Sequence, residues 1–353
     1  MTVQPTTPYL RVDRHRLQRN VDHGAERAGG RRVALRPHAK THKTTEIARL
    51  QLDAGAVGLT VATLGEAEVF AQHGCRDLFV AYPVWVDERA AARLRDLTDR
   101  ATVAIGVDSV DSAVRAGRQL APYAVEVMVE VDSGQHRTGC RPDEAGAVAV
   151  AATKAGLRVR GVFTFPGHSY APDGRASAAA DEARALATAR DALLDEGLEV
   201  AVVSGGSTPS WDYLDPSVVT EARPGVYVFG DAQQWELGAM PPGSLALTCR
   251  ATVVSHAGGR AVLDAGSKAL GADRAAYSTG WGRLLHHPEA RIVQLSEHHA
   301  VVDLAGAPLP PVGHQVDVVP NHCCATVNLA DNLWVEEDGS LQPWPVAARG
   351  RNG

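Results

Sequence analysis

The feature that most constrains the fold of this chain is an alternation of short β-branched runs with helix-forming stretches between residues 33 and 229. The stretches between the runs carry apolar residues three and four positions apart, which is typical of amphipathic helices. Eight parallel strands joined by crossover helices close most simply into a (β/α)8 barrel, so we predict this α/β architecture. A doubly wound open sheet would need a glycine-rich fingerprint after the first strand, and none is present there. The eight predicted strands are Val33–Leu35, Val57–Ala62, Leu78–Tyr82, Thr102–Val107, Val125–Val131, Val159–Phe165, Val200–Val203 and Val218–Glu221.

The sequence pattern changes at about Leu245, where strand-like runs separated by polar turns replace the helical periodicity. This change predicts a second, mostly antiparallel β domain, and Pro-Pro-Gly at 241–243 marks the junction. We therefore expect a barrel domain over residues 20–240 and a β domain over residues 241–345. Whether residues 1–19 join the β domain stays open at this point.

Composition and charge narrow the class of protein. The chain is 45% hydrophobic and 22% charged, has a net charge of -6 and carries no second basic cluster, so we expect no nucleic-acid partner. No apolar run approaches the roughly 18 residues of a membrane span, and the N-terminal residues do not resemble a signal peptide. We therefore expect a cytoplasmic protein without a membrane partner. Five scattered cysteines argue against a disulfide framework and leave them as core residues or metal ligands.

The segment Arg36–Lys43, written RPHAKTHK, places five basic or titratable side chains in eight positions directly after the first predicted strand. Taken alone, such a run is usually a solvated basic loop. However, only four of the 35 residues that are lysine or arginine are lysines. A lysine amine, unlike a guanidinium, can be made neutral by desolvation and neighbouring cations and can then attack a carbonyl. Lys40 is therefore a candidate for a chemical role.

Further informative residues follow the other predicted strands, where barrel enzymes carry their working groups. The segments after strands seven and eight supply small residues and hydroxyls, among them Ser207, beside backbone amides, as a phosphate group requires. A plain glycine-serine turn is the alternative for SGGSTP alone. A lysine at one strand end and a phosphate cradle at two others together suggest pyridoxal 5′-phosphate. The segments that follow predicted strands five, six, seven and eight are, in order, Asp132–Gly139, Pro166–Tyr170, Ser204–Pro209 and Arg223–Tyr227.

Six motifs of this chain, taken in order, resemble one known family. RPHAKTHK, VDSGQHRTG, SGGSTPS, RPGVYVFGD, DAGSKAL and PNHCCATVNL are similar to those of the D-serine dehydratase and D-threonine aldolase group. This group lies within the fold-type III, alanine racemase-like pyridoxal phosphate enzymes. The resemblance covers nearly the whole chain, and it implies a barrel with a β domain, a homodimer, and pyridoxal phosphate on Lys40.

The resemblance also implies roles for further residues. Arg137 is expected beside the phenolic oxygen of the cofactor. Arg223 matches the arginine that meets the pyridine nitrogen in alanine racemases, and whether that contact survives here stays open. The residues expected near the phosphate are Tyr170, Ser207, Thr208, Gly225 and Val226.

A candidate metal pair follows the strand-like run Val316–Val319. If the chain continues extended, His322 and Cys324 point to one face and Cys323 to the other. Imidazole and thiolate suit Zn²⁺, although cysteines in a buried strand can also be core residues. The resemblance implies a divalent ion, Zn²⁺ or Mn²⁺, at His322 and Cys324.

Two reactions on D-β-hydroxy amino acids follow from the resemblance. In dehydration, Lys40 removes the α-proton and the β-hydroxyl leaves, so that D-serine gives pyruvate and ammonia. In aldol cleavage, a base takes the β-hydroxyl proton and D-threonine or D-3-hydroxyaspartate gives glycine and an aldehyde. His168 is the candidate for that base, with a hydrogen-bonding loop histidine as the alternative.

The His-x-Cys spacing resembles the zinc-dependent dehydratases, so a D-serine dehydratase is the preferred prediction. D-threonine or D-3-hydroxyaspartate aldolase is the alternative. Racemization is less favoured, because the segment in which alanine racemases carry a tyrosine reads Asp264–Lys268 here. A non-catalytic pyridoxal phosphate-binding homologue is a further alternative if His322 and Cys324 bind no metal.

Overall fold

The computed structural model describes residues 5–353. Its internal contacts divide the chain into two compact units. The barrel unit comprises Gly24–Lys40, Ala48–Gly225 and Arg351–Gly353, and the β unit comprises the residues up to His23, Thr41–Ile47 and Val226–Gly350.

The strands and helices alternate in the first part of the chain, and strands predominate after Leu247. The strands are β1 (Tyr9–Asp13), β2 (Ala34–Leu35), β3 (Leu59–Val61), β4 (Asp77–Pro83), β5 (Thr102–Val107), β6 (Val125–Glu130), β7 (Arg158–Phe163), β8 (Val202–Gly205), β9 (Glu221–Ala222), β10 (Leu247–Ala257), β11 (Arg260–Leu263), β12 (Gly282–Leu284), β13 (His287–Leu295), β14 (Ala300–Asp303), β15 (Gln315–Pro320), β16 (Asn332–Glu337) and β17 (Ser340–Pro345). The helices are α1 (Arg14–Arg31), α2 (Thr45–Asp53), α3 (Leu64–Gln72), α4 (Glu88–Thr98), α5 (Val110–Leu120), α6 (Ala145–Lys154), α7 (Gly174–Asp195), α8 (Ala232–Glu236), α9 (Ser267–Leu270) and α10 (Cys323–Leu329).

The barrel unit contains an eight-stranded parallel sheet in the order β2-β9-β8-β7-β6-β5-β4-β3. Each strand overlaps one of the eight runs predicted from the sequence. The first and last strands of this order meet beyond the end of β2, where His38 forms a parallel bridge with Thr60. There, the Thr60 amide donates to the Pro37 carbonyl over 2.9 Å. The predicted (β/α)8 barrel is confirmed.

The interior of the barrel is packed with side chains from four neighbouring strands, so it is a solid core and not a pore. Phe79 and Phe163 meet edge to face with their ring centroids 4.9 Å apart. Ala104 and Met128 complete this layer. Two of the strands that carry it, β6 and β7, lead into loops that hold some of the functional residues described below.

Charged side chains lie inside the barrel at the amino ends of β4, β6 and β7. Arg36 is 1% exposed, and it donates to Glu221 over 2.7 Å and to Asp77 over 2.8 Å. Arg160 lies 3.3 Å from Asp77 and 3.5 Å from Glu126. Because the buried guanidinium of Arg36 meets two carboxylates, its charge is compensated within the barrel.

The β unit is built on a nine-stranded sheet in the order β11-β14-β13-β12-β15-β10-β1-β16-β17. All strand pairs are antiparallel except β1 with β16. The strand β1 pairs with both β10 and β16, so this N-terminal strand belongs to the β sheet. The predicted mostly antiparallel β architecture is confirmed. Among the helices of residues 5–353, none is both long and apolar enough to cross a membrane.

Candidate active site

Three residues predicted from the sequence converge on one aromatic ring in the barrel unit. A 3₁₀ turn, Ala39–Thr41, follows β2 and places the Lys40 ammonium 5.6 Å from the centre of the Phe165 ring. The Arg137 guanidinium lies 5.4 Å from the same centre, and the Tyr170 ring lies 6.3 Å away. Phe165 itself follows β7. The carboxyl end of the barrel therefore brings Lys40, Arg137 and Tyr170 together.

The loop that carries Arg137 is held by side chains on either side of it. Asp132 accepts hydrogen bonds from the backbone amides of Gly134 over 2.9 Å and His136 over 3.0 Å. The Thr138 hydroxyl donates to Glu130 at the end of β6 over 2.9 Å. These hydrogen bonds hold the loop that carries Arg137 in a defined conformation.

The loop after β8 forms a buried cluster of hydroxyl groups. The Ser207 hydroxyl lies 2.9 Å from that of Ser169 and 2.8 Å from that of Ser210. Thr208 is 8% exposed, and Gly206 has a positive φ of +80°, which favours glycine. The structure therefore places Ser207 and Thr208 beside the turn Gly167–Ser169 that precedes Tyr170.

Two further predicted phosphate contacts follow β9. Gly225 lies in the barrel unit and Val226, which is 3% exposed, begins a 3₁₀ turn in the β unit. Their proximity to a phosphate stays a prediction.

Arg223 lies in the barrel core between two aromatic rings. Its guanidinium is 5.7 Å from the centre of the Phe79 ring and 5.3 Å from that of Phe163. It donates to the Ser204 hydroxyl over 2.9 Å and to the Thr164 carbonyl. Burial lowers the pKa of Arg223, and three buried carboxyl groups, those of Glu221, Glu182 and Glu130, act in the opposite direction. These contacts hold the guanidinium, and its role toward a pyridine nitrogen stays open.

His168, the candidate base, lies in the turn after β7. Its Nε2 is 3.4 Å from a carboxylate oxygen of Asp181, and neither ring nitrogen has a hydrogen-bond partner among the described residues. Gly134 packs against this ring and has a φ of +119°, which favours glycine. The role of His168 as a base stays a prediction.

In the β unit, the chain does not continue extended through the candidate metal pair. His322 occupies the N-cap position of helix α10, which begins at Cys323, so the condition on which we placed His322 and Cys324 on one face is not met. The Asp231 carboxylate accepts the Cys323 amide over 3.2 Å and lies 3.2 Å from the Nδ1 of His322. A carboxylate at this position satisfies a free amide of the helix N-terminus, and this stabilises the helical turn.

The helical turn nevertheless keeps His322 and Cys324 together, because their side chains are hydrogen-bonded. Burial lowers the pKa of His322, but Cys324 and Asp231 raise it more, to well above its ordinary value. The Cys324 thiol also donates to the Thr41 hydroxyl over 3.3 Å.

The residues of this pair fit a divalent ion. Within residues 5–353 no group of three or more histidine, cysteine, aspartate or glutamate side chains is arranged to hold a metal, so the candidate ligands are His322 and Cys324. Asp231 contacts the Nδ1 of His322, as a carboxylate does behind a metal-binding imidazole, and this leaves Nε2 for the ion. The donor set suits Zn²⁺.

The sequence analysis missed three buried acidic residues of these regions: Asp231, Glu130 and Glu182. Asp231 closes the motif RPGVYVFGD, and Glu130 closes β6. Glu182 lies on the buried stripe of α7 with Ala178, Ala185 and Leu186. A charged residue on an otherwise apolar helical stripe is a signal that could have identified Glu182.

Comparisons with known proteins agree with this arrangement. Residues 12–233 match the model of the alanine racemase N-terminal domain, and residues 246–335 match that of a putative serine dehydratase domain. This chain therefore belongs to the alanine racemase-like family in which the barrel is joined to a dehydratase-type β domain.

Three relatives that match nearly the whole length of this chain have the names of lyases. D-threo-3-hydroxyaspartate dehydratase of Delftia sp. is 32% identical, with 96% of each chain covered. Its solved structure gives a TM-score of 0.90, with 97% of each chain covered. D-threonine aldolase of Arthrobacter sp. is 32% identical over 98% of this chain and 93% of its own length. 3-Hydroxy-D-aspartate aldolase of Paracoccus denitrificans is 30% identical over 98% and 92%.

None of these three names contains D-serine. The preference for D-serine is therefore not supported, and the aldolase alternative fits these relatives better.

Proposed function

We propose that this protein is a pyridoxal phosphate-dependent and metal-dependent lyase that acts on D-3-hydroxy amino acids. The observation that carries the proposal is the convergence of Lys40, Arg137 and Tyr170 on the Phe165 ring, at the carboxyl end of the barrel. Family membership and three lyases related over the whole length support it.

The residues present fit the cofactor. A lysine amine at one strand end and the buried hydroxyls of Ser207 and Thr208 at another match its aldehyde and its phosphate. In this proposal Lys40 holds the cofactor covalently, Arg137 donates to its phenolic oxygen, and Tyr170, Gly225 and Val226 complete the phosphate site. When bound, pyridoxal phosphate supplies an electron sink for the substrate's α-carbon.

The metal would be held by His322 and Cys324, and it would supply Lewis-acid polarisation of the substrate's β-oxygen. Asp231 contacts the Nδ1 of His322, so Nε2 is the ring nitrogen that would hold the ion. One solved form of the Delftia dehydratase is a cysteine mutant described as metal-free, and another carries a mutated histidine two residues earlier. That spacing equals the spacing of His322 and Cys324, which supports the assignment. Zn²⁺ is the first choice and Mn²⁺ the second.

The first candidate reaction is retro-aldol cleavage of D-threonine or D-3-hydroxyaspartate to glycine and an aldehyde. It needs a base at the β-hydroxyl, and His168 has two ring nitrogens without a hydrogen-bond partner among residues 5–353. His168 takes the hydroxyl proton in this reaction while the Cα–Cβ bond breaks. Two aldolases among the whole-length relatives support this candidate.

The second candidate reaction is dehydration of D-3-hydroxyaspartate to a keto acid and ammonia. The His-x-Cys pair favours it, because its spacing agrees with that of the mutated residues of the Delftia dehydratase. Here Lys40 removes the α-proton, the β-hydroxyl takes up a proton and leaves as water, and a second water hydrolyses the resulting imine to the keto acid and ammonia.

A product assay with and without chelator tests the proposal. Purified protein is given D-threonine, D-3-hydroxyaspartate and D-serine, and glycine is measured against keto acid and ammonia. Glycine from the first two substrates supports the aldolase, and keto acid from the second supports the dehydratase. No turnover of any of the three, with cofactor bound, supports the non-catalytic homologue instead. A homodimer, which we also propose, is tested by light scattering.

A further inference from the structure

Glu182 contacts the proposed phosphate loop from the helix that packs behind it. The residue lies on α7 and is 1% exposed. Its Oε1 accepts a hydrogen bond from the Gly206 amide over 2.6 Å. Gly206 is the residue directly before Ser207, so this bond fixes the backbone where the buried hydroxyl cluster begins.

The packing around this carboxyl group leaves no freedom for the turn. A Cβ on Gly205 would lie 2.4 Å from Oε1 of Glu182 and 3.2 Å from Leu186, so glycine is required for this close approach. Gly206 adopts a φ of +80° and turns the chain away from β8. The turn therefore contacts α7 in two ways, through the hydrogen bond from the Gly206 amide to Glu182 and through the close approach of Gly205 to Glu182 and Leu186.

The charge of Glu182 is compatible with a neighbouring phosphate. Its second oxygen, Oε2, has no hydrogen-bond partner among the described residues. Burial raises the pKa of Glu182 to about 7, while the Gly206 amide and Arg223 act in the opposite direction. A carboxyl group that is neutral for much of the time near pH 7 accepts the amide without strongly repelling a dianion.

We propose that Glu182 is a positioning residue that holds the Gly205–Gly206 turn in the conformation that receives the cofactor's phosphate. This inference rests on the proposed function. The alternative is that Glu182 only fills the space between α7 and β8, in which case its replacement would change stability but not phosphate recognition.

The ratio of two affinities separates these roles. Pyridoxal lacks the phosphate group, so the affinity for pyridoxal 5′-phosphate divided by that for pyridoxal reports on the phosphate site alone. Both are measured from the visible absorbance of the lysine-bound form. We expect Glu182→Met, which keeps the volume and removes the acceptor, to lower this ratio roughly tenfold or more. Glu182→Gln keeps an acceptor and should stay within about threefold of the wild-type ratio.

The matched control is Leu193→Ala, which opens a buried position on the same helix away from the loop. It should lower the melting temperature and leave the ratio unchanged. A wild-type ratio in folded Glu182→Met overturns the inference.

A measurement on the unmodified protein covers the case in which Glu182→Met does not fold. Hydrogen exchange at the Gly206 amide should be slow before the cofactor is added, because Glu182 already binds it. Exchange as fast as in an open loop contradicts the inference. Failure of the wild-type protein to bind the cofactor at Lys40 overturns the proposed function itself, so the two failures are distinguishable.

Discussion

The two ends of the barrel carry buried charges in different states. At the amino ends of the strands, Arg36 meets Asp77 and Glu221 in direct hydrogen bonds. Toward the carboxyl ends, Glu130 and Glu182 each keep one buried oxygen without a hydrogen-bond partner in the described part of the chain. Glu126, at the amino end of β6, also has such an oxygen, but Arg160 lies 3.5 Å from its other one. Paired charges of the first kind serve stability, and incompletely satisfied groups of the second kind are typical of sites that bind a ligand. Substitutions at the two ends should therefore separate stability from activity.

The largest effect is expected for Lys40→Arg at the carboxyl end. A guanidinium cannot form the covalent linkage to the cofactor, so activity should fall by roughly a thousandfold or more. The visible absorbance of the bound cofactor should disappear, and the melting temperature without cofactor should change little. The control is Lys154→Arg on an exposed position of α6.

Arg36→Met at the amino end is expected to lower stability and to affect activity much less than Lys40→Arg does. Removing Arg36 leaves the buried carboxylate of Glu221 without its arginine partner, while Asp77 keeps Arg160, and we expect a loss of about 3–5 kcal/mol of unfolding free energy. Denaturant unfolding measures this loss. The exposed Arg89→Met on α4 is the control. Loss of activity without loss of stability in Arg36→Met would contradict the assignment of the two ends.

A pH dependence of stability sharpens the comparison. Because burial raises the pKa of Glu182 from 4.5 to about 7, the folded protein keeps a proton that the unfolded chain has lost between those values. Unfolding free energy should therefore fall as the pH rises from 4.5 to 7 and level off above that. In Glu182→Gln the fall should be smaller, by up to about 3 kcal/mol. Equal slopes in urea titrations of the two proteins would contradict this, and Glu196→Gln, at the end of the same helix, is the exposed control.

The smallest effect concerns Asp231 in the β unit. Asp231→Asn removes the negative charge behind His322, so affinity for Zn²⁺ should fall roughly 10- to 100-fold. Competition with a chromophoric chelator measures it, and added Zn²⁺ should restore activity. Unchanged affinity would mean that His322 does not bind the ion through Nε2.

The barrel could be predicted from the sequence because its strands are local runs of β-branched residues, which periodicity detects. The two-residue strand Glu221–Ala222 overlaps its predicted run only at Glu221. The Glu221 carboxylate accepts hydrogen bonds from Arg36 and Ser204, which come from other parts of the chain. Such partners shift a strand's ends without leaving a local signal.

The helix at Cys323 could not be predicted for the same physical reason. The segment after β15 is apolar and compatible with an extended chain, and the carboxylate at its N-terminus comes from Asp231, 92 residues earlier. Glu182 was also missed, because a glutamate in an alanine- and arginine-rich helix is usually on the solvent face. Lys40 could be identified because it lies directly after a predicted strand in a chain with few lysines.

The most direct test of this account is the site of covalent attachment. Purified protein loaded with pyridoxal 5′-phosphate is reduced with borohydride and digested, and the labelled peptide is mapped by mass spectrometry. We expect the label on Lys40, in the peptide that follows the first barrel strand. A label on Lys43, Lys154 or Lys268, or no label, would contradict the account.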